Sequence, residues 1–458
     1  MNETTVRDRR KMVFTIALPI MVQSIVQHIM ILTDRAFLGN LHARYLASLG
    51  NVTVPYNAFL FIFFSLAIGL VVVVAQSYGA QDLKRARDVS ESAFFFSTLI
   101  SLGIFLSWYY GGEFILKLFG AKGIILRDAV IFVRILSFSL LLMGVDVTVT
   151  SILQGIGITR PIMIFGIVKS ILNILLDWIL IFGHWGFPAL GLEGAAFATL
   201  TANIIGSVGI FITILFMKDL PFRLSLRRIF IPRWYLYQEA LWVGLPSGTE
   251  TLLWNIGQLV MARLLNQIDG MAIGIFSIVS GIQQIALLIY MGFAKAAMTM
   301  VGQYWGERNF KEAQRTGVYC QKIALYVTAF FSIVFLSVPK FLAGIFTNDP
   351  TVLARAIPLI RILAITVNFQ AVNVIAGHAI RGSGDTKWML FSQAIGTVFV
   401  ISISSVMIFG LSLGLAGMYL TVMLDEGIRG GINFFRFYTG KNPIRVLLPG
   451  WRNMQQKL

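Results

Sequence analysis

The chain repeats itself at a shift of 227 residues. Pro19 falls on Pro246; Gln76, Gly79, Lys84 and Ala86 fall on Gln303, Gly306, Lys311 and Ala313. Gly155, Gly157 and Thr159 fall on Gly382, Gly384 and Thr386, and Ile181-Phe182-Gly183 falls on Ile408-Phe409-Gly410, with no gap between first match and last. Chance similarity between two apolar sequences would match Leu, Ile and Val in a drifting register. The shared residues here are those that end helices or sit in loops. The chain is therefore expected to fold as two equivalent halves.

Each half is too apolar for a water-soluble core. Of 458 residues, 57% are hydrophobic and 13% charged, and mean hydropathy is +0.78. Runs of about 20 apolar residues, long enough to cross a bilayer as helices, recur near residues 24, 62, 100, 140, 172, 203, 251, 288, 326, 366, 399 and 425. They lack the period-two alternation of membrane strands. The expected fold is all-α: a polytopic membrane protein of twelve transmembrane helices in two six-helix lobes, 1–230 and 231–458. An even number of spans returns the chain to its starting side. The lobes are then related by a parallel pseudo-twofold repeat, an architecture of transporters. The joining segment, 217–234, carries Pro221, Pro232 and four arginines and is expected at the inner surface as a tether.

The net charge of +16 is a topology signal rather than a nucleic-acid footprint, because it lies in short loops. With the amino terminus cytoplasmic, 24 Lys and Arg fall on that side, from Arg7 through the linker to Arg436, Lys441, Arg445, Arg452 and Lys457. About eight fall opposite: Arg35, Arg44, Lys117, Lys122, Arg127, Arg263, Lys340 and Arg355. Both termini are expected in the cytoplasm and the chain in the inner or plasma membrane. Pro19, Gln23, Gln27 and Asp34 in the first span, with no small-residue cleavage site after it, argue against a cleaved signal. The single Cys320 excludes an internal disulfide or a cysteine metal cluster. No Gly-x-x-x-x-Gly-Lys-Ser/Thr run suggests an ATP site, and no enzymatic cofactor is expected.

A carboxylate at mid-membrane costs about 2.5–3.5 kcal/mol on insertion scales, so it persists when paired, protonated or binding something. Gln23, Gln27 and Asp34 share one face of span one, and Asn173 and Asp177 share one face of span five. Thr199 of span six can add a hydroxyl. Facing one another, Asp34, Asn173, Asp177 and Thr199 offer oxygen ligands suited to a hard cation such as Na+. Two adjacent carboxylates equally suit a proton. Helix bracing by Asp34 and Asp177 is the alternative. Pro19 removes a helical hydrogen bond and is a candidate hinge.

These residues resemble the MATE (multidrug and toxic compound extrusion) family over essentially the whole chain. The carriers are Leu18-Pro19 with Asp34 fifteen residues on, Asn173-Ile174-Leu175-Leu176-Asp177, the run Gly191 to Thr199, and Arg381-Gly382-Ser383-Gly384-Asp385-Thr386. The Asn-x-x-x-Asp run is similar to that of the DinF-like branch. The resemblance implies export of organic cations, drugs or metabolites by antiport with Na+ or H+. It also implies a cation site in the amino-terminal lobe at Asp34, Asn173, Asp177, Ala195 and Thr199. The NorM-like branch's acids of helices seven and ten would fall at Trp254 and Gln370, which cannot ionise. Coupling is therefore expected in the first lobe.

The substrate-cleft candidates are Gln23, Gln27, Asp146, Glu250, Trp254, Gln258, Gln284, Lys295 and Asn373. Glu250 beside Trp254 would suit an organic cation through charge and cation–π attraction, unless Glu250 pairs with Lys295. Asp425 and Glu426 could pair with Arg429 and receive no role. The expected partners are a small-molecule substrate and the bilayer, with no nucleic acid and a monomeric state. One competing reading is a lipid-linked oligosaccharide flippase of the same superfamily, which would need cations such as Lys295, Arg134 and Arg361 in its cleft. A major-facilitator transporter and a channel are the others.

Overall fold

The computed structural model describes residues 3–440; the basic tail residues Lys441, Arg445, Arg452 and Lys457 lie outside the described residues. The described chain contains twelve long helices: α1 Glu3–Leu41, α2 Ala43–Gly79, α3 Leu83–Leu118, α4 Gly123–Ile156, α5 Arg160–Phe182, α6 Leu192–Phe216, α7 Trp234–Asn266, α8 Ala272–Gly306, α9 Phe310–Ser337, α10 Pro350–Gly382, α11 Thr386–Ser405 and α12 Gly414–Thr439. Each of the twelve expected span centres falls inside its own helix. Ten are long and apolar enough to cross a membrane by composition alone. The two that fall short, α7 and α12, carry Glu239, Glu250 and Arg263, and Asp425, Glu426, Arg429 and Arg436, respectively. Charge on a spanning helix is tolerated where it faces protein rather than lipid.

The 227-residue echo is written into the backbone. Gln81 and Arg308, both non-glycine, adopt positive φ (58° each), as do Trp185 and Ser412 (59° and 55°), and Gly157 and Gly384 (94° and 89°). Each pair is one repeat apart. The same closures follow α2 and α8: Asp82 N–H donates to the Ser77 carbonyl (3.0 Å) and Asn309 N–H to that of Tyr304 (2.9 Å). Asp82 and Asn309 then cap the next helices by accepting from Arg85 N–H (2.9 Å) and Glu312 N–H (3.3 Å). Close helix crossings repeat as well. A Cβ on Gly155 would sit 3.0 Å from the Val71 carbonyl oxygen, and one on Gly382 would sit 2.5 Å from that of Met298. Bare glycine at both places lets α4 lie on α2 and α10 on α8.

Packing does not divide the chain at 230/231. One compact unit is Leu18–Gly248; the other is Met1–Ala17 with Thr249–Leu458. The borders fall inside α1 and α7, beside Pro19 and Pro246, because the first half of each helix packs with the other repeat's helices. In the first unit, Gly69 of α2 abuts the Ala240 carbonyl of α7 and Gly244 abuts that of Ser65, while Arg85 pairs with Glu239. In the second unit, Phe14 of α1 meets Phe293 edge-on at 5.7 Å, and Arg9 pairs with Glu312 at 2.5 Å. Positions 85 and 312 are repeat equivalents with their charges exchanged.

The 217–234 segment is docked rather than a free tether. Leu220, Phe222 and Ile229 are buried. Ser225 N–H donates to Glu91 (2.9 Å) and Arg233 N–H to Ser92 Oγ (3.0 Å), and the Arg233 side chain pairs with Asp88. Cys320 is buried and free, as expected of an apolar filler.

Candidate functional sites in the two halves

In the first unit, α1 and α5 are held together at two points. Gly166 leaves room for the Gln23 side chain, since a Cβ there would overlap it. A helix length away, Phe37 packs edge-on against Phe182 with ring centroids 5.4 Å apart. α6 joins α5 where a Cβ on Gly194 would lie 2.5 Å from the Leu180 carbonyl. Within this frame the carboxyl of Asp34 lies within hydrogen-bonding reach of that of Asp177. Asn173 Nδ2 donates to Thr199 Oγ1 (3.2 Å). Asp177 is fully buried, Asn173 and Ala195 nearly so, and Ala195 sits one turn before Thr199 on α6.

The electrostatics of this cluster are incomplete. Asp34 Oδ1, Asn173 Oδ1 and both carboxyl oxygens of Asp177 are buried without a hydrogen-bond donor. Buried polar atoms in native proteins are almost always satisfied, and two carboxylates in contact repel unless a proton or cation lies between them. The donor set, all oxygen and up to two negative charges, fits a hard monovalent cation or a proton. Among the described residues no group of three His, Cys, Asp or Glu could hold a metal ion.

Beside this cluster a cavity of about 280 Å³ is lined by Gln23, Gln27, Asp146, Lys169, Asn173, Thr199 and Ser207 among others. Asp146 Oδ1 accepts from Ser207 Oγ (3.2 Å), and Lys169 Nζ stands 3.5 Å from Asp146 Oδ2. The sequence reading missed Lys169, although it stands four residues before Asn173 and eight before Asp177 on the same helical face.

The second unit has its own cavity, about 300 Å³, lined by Trp254, Gln258, Gln283, Gln284, Gln370, Gln393, Asp425, Glu426 and Arg429 among others. Asp425 accepts three hydrogen bonds of 2.7–3.0 Å from Arg429, which also donates to Gln393 (2.8 Å). Three cleft candidates lie elsewhere. Glu250 does not pair with Lys295 and does not line the cavity; it takes a 2.5 Å bond from Arg381, and both are buried. Lys295 forms no ion pair among the described residues. Asn373 is locked between Glu426, to which it donates (2.8 Å), and Asn433, from which it accepts (2.8 Å). Both α10 and α12 are needed to build these contacts, and no spacing in one helix announces them.

The MatE family profile matches residues 19–179 and again 246–422, the two matches beginning one repeat apart. "Uncharacterized transporter YisQ" of Bacillus subtilis is 26% identical over 94% of both chains. "Probable multidrug resistance protein NorM" of Thermotoga maritima is 26% identical over 96% of this chain and 94% of its own. Among solved structures, an outward-facing multidrug resistance MATE family transporter of the MOP superfamily superposes with a TM-score of 0.88 at 22% identity, over 94% of this chain and 95% of that one. A MOP superfamily transporter from Pyrococcus furiosus, described as having a binding pocket of reverse polarity, superposes with a TM-score of 0.87 at 21% identity, over the same shares. With twelve helices in two repeats, and both repeats matched by one profile, the chain belongs to the MatE family of membrane transporters.

Proposed function

We propose that the protein is a secondary active exporter that moves organic cations, drugs or metabolites outward in exchange for Na+ or H+, with coupling in the first unit as in the DinF-like branch. The observation that carries this reading is the set of four buried, unpartnered oxygens on Asp34, Asn173 and Asp177. An ion arriving there relieves the repulsion of the two carboxyls and draws α1, α5 and α6 together. Pro19 leaves α1 without one backbone bond, so the helix can change its bend as the ion binds. That change alters the adjoining cavity, where Gln23 and Gln27 of α1 meet Asp146 of α4, and favours release of substrate. The NorM relatives are named for multidrug resistance, which supports a broad substrate range. The density of Lys and Arg on one set of loops supports cytoplasmic termini in the cell membrane, and we take the monomer as the working unit.

The flippase alternative fares less well, because none of Lys295, Arg134 and Arg361 lines either cavity, and the basic groups that do, Lys169 and Arg429, each stand beside an aspartate. The test is reconstitution in liposomes with a fluorescent organic cation under an imposed Na+ or proton gradient. Asp34→Asn should abolish ion-driven flux while expression and folding persist. Undiminished antiport in that variant sinks the first-unit assignment. The gradient that drives flux in the parent protein names the ion.

A further inference from the structure

We propose that Lys169 is a substrate-recognition residue and that, with Asp146, it makes the first-unit cavity selective for amphoteric molecules, those carrying a cationic and an anionic group together. The proposal rests on the export reading for its physiological sense, but its evidence is separate.

Lys169 sits in the middle of α5, where an ammonium is costly unless it is used. Its stem lies across α6 in space that Gly206 leaves open, for a Cβ there would come within 2.9 Å of Lys169 Cε. This placement is built, not incidental. The pair with Asp146 is loose: 3.5 Å apart, with side chains 25% and 30% exposed to the cavity. The Asp146 carboxyl accepts one hydrogen bond among the described residues, from Ser207. Lys169 donates none among the described residues, so most of its three N–H groups are unspent. The contrast is the second unit, where Asp425 and Arg429 close on each other through three bonds.

The repeat sharpens the contrast. The counterpart of Lys169 is Gly396, and there the space is filled from the neighbouring helix: a Cβ on Gly396 would lie 2.5 Å from Arg429 Nε. Each cavity thus holds a basic group beside an acid, one pair sealed and one open. A monocation entering the open pair takes Asp146 and strands Lys169 without a counter-charge. A ligand with an ammonium and a carboxylate satisfies both, and the amides of Gln23, Gln27 and Asn203 accommodate its polar remainder.

The test uses Nε-dansyl-lysine, a fluorescent zwitterion, and its methyl ester, a monocation, titrated against the full-length protein in nanodiscs. The wild type should bind the zwitterion more tightly than the ester, a comparison that needs no variant. Lys169→Met should weaken zwitterion binding about tenfold to a hundredfold, the worth of hydrogen bonds to a charged group, and leave the ester unchanged or tighter; Lys169→Arg should restore the preference. Equal affinities in the wild type, or equal losses for both ligands in Lys169→Met, would overturn the assignment. Gradient-driven flux of both the zwitterion and the ester is measured in parallel. Absent flux with intact discrimination defeats the export reading alone, and intact flux without discrimination defeats the role of Lys169 alone.

Discussion

Asn173 divides its amide between two tasks: its nitrogen fixes Thr199, and its oxygen stays bare beside Asp177. On our reading this cluster differs from a brace in its charge, because neither Asp34 nor Asp177 has an ion-pair partner among the described residues while Asp34 Oδ1 and both Asp177 carboxyl oxygens lack donors. Glu250 and Arg381 are the bracing kind. Both are buried and joined at 2.5 Å, and a buried pair is far more costly to break on one side than to remove entirely. Arg381→Met should therefore destabilise the protein by about 3–5 kcal/mol, and adding Glu250→Gln should recover most of the loss. Unfolding midpoints in a detergent titration would show it. If the double variant is no more stable than the single one, Glu250 is not held by Arg381. The i, i+4 spacing of Asn173 and Asp177 was legible in the sequence because it lies within one helix, whereas the grouping with Asp34 of α1 and Thr199 of α6 was implied by the family resemblance. The partnership of Glu250 and Arg381 was illegible, since it joins α7 to α10 and either residue alone looks like a cleft or a loop charge.

Helix pairing in this protein is set by where side chains are missing. Gly69 and Gly244 press against carbonyls across the α2–α7 crossing, whereas Gly103 of α3 faces open space. Adding a methyl at Gly69 requires the backbones to separate, and overpacking of this kind costs about 1–3 kcal/mol. Gly103→Ala removes a poor helix former from an open position and should be neutral or stabilising by up to about 1 kcal/mol. Thermal melts followed by size exclusion would rank the two, and equal melting temperatures would contradict the crossing. The repeat pointed to Gly155 and Gly382 as special, and their crossings with α2 and α8 give the reason. The docked 217–234 segment had no such signal, because its anchors, Asp88, Glu91 and Ser92, are unremarkable residues of α3.

At the scale of the whole molecule, two repeats become two compact units only by exchanging the first halves of α1 and α7. The exchange places Pro19 and Pro246 next to the borders of the units. A helix that belongs to both units must flex where it passes between them if the units move, and a proline is where a helix bends most readily. Replacing both, as Pro19→Ala with Pro246→Ala, should leave folding and substrate binding intact and slow gradient-driven flux severalfold. Transport rates in liposomes beside unchanged binding in nanodiscs would support that, and unaltered flux would remove the prolines from the mechanism.

The sequence by itself determined the helix count and the register of the repeat, because these follow from period and punctuation along the chain. It could not decide which helices exchange between units, which charges neutralise one another, or which basic group faces each cavity. Those outcomes depend on side chains from helices far apart in the chain meeting in a low-dielectric interior, where a few ångströms separate a sealed ion pair from an open one. Asp425–Arg429 lies at i, i+4 within one helix, and the sequence already offered that pairing. Asp146–Lys169 joins α4 to α5, so only the tertiary setting brings it together and makes it, on our reading, a site.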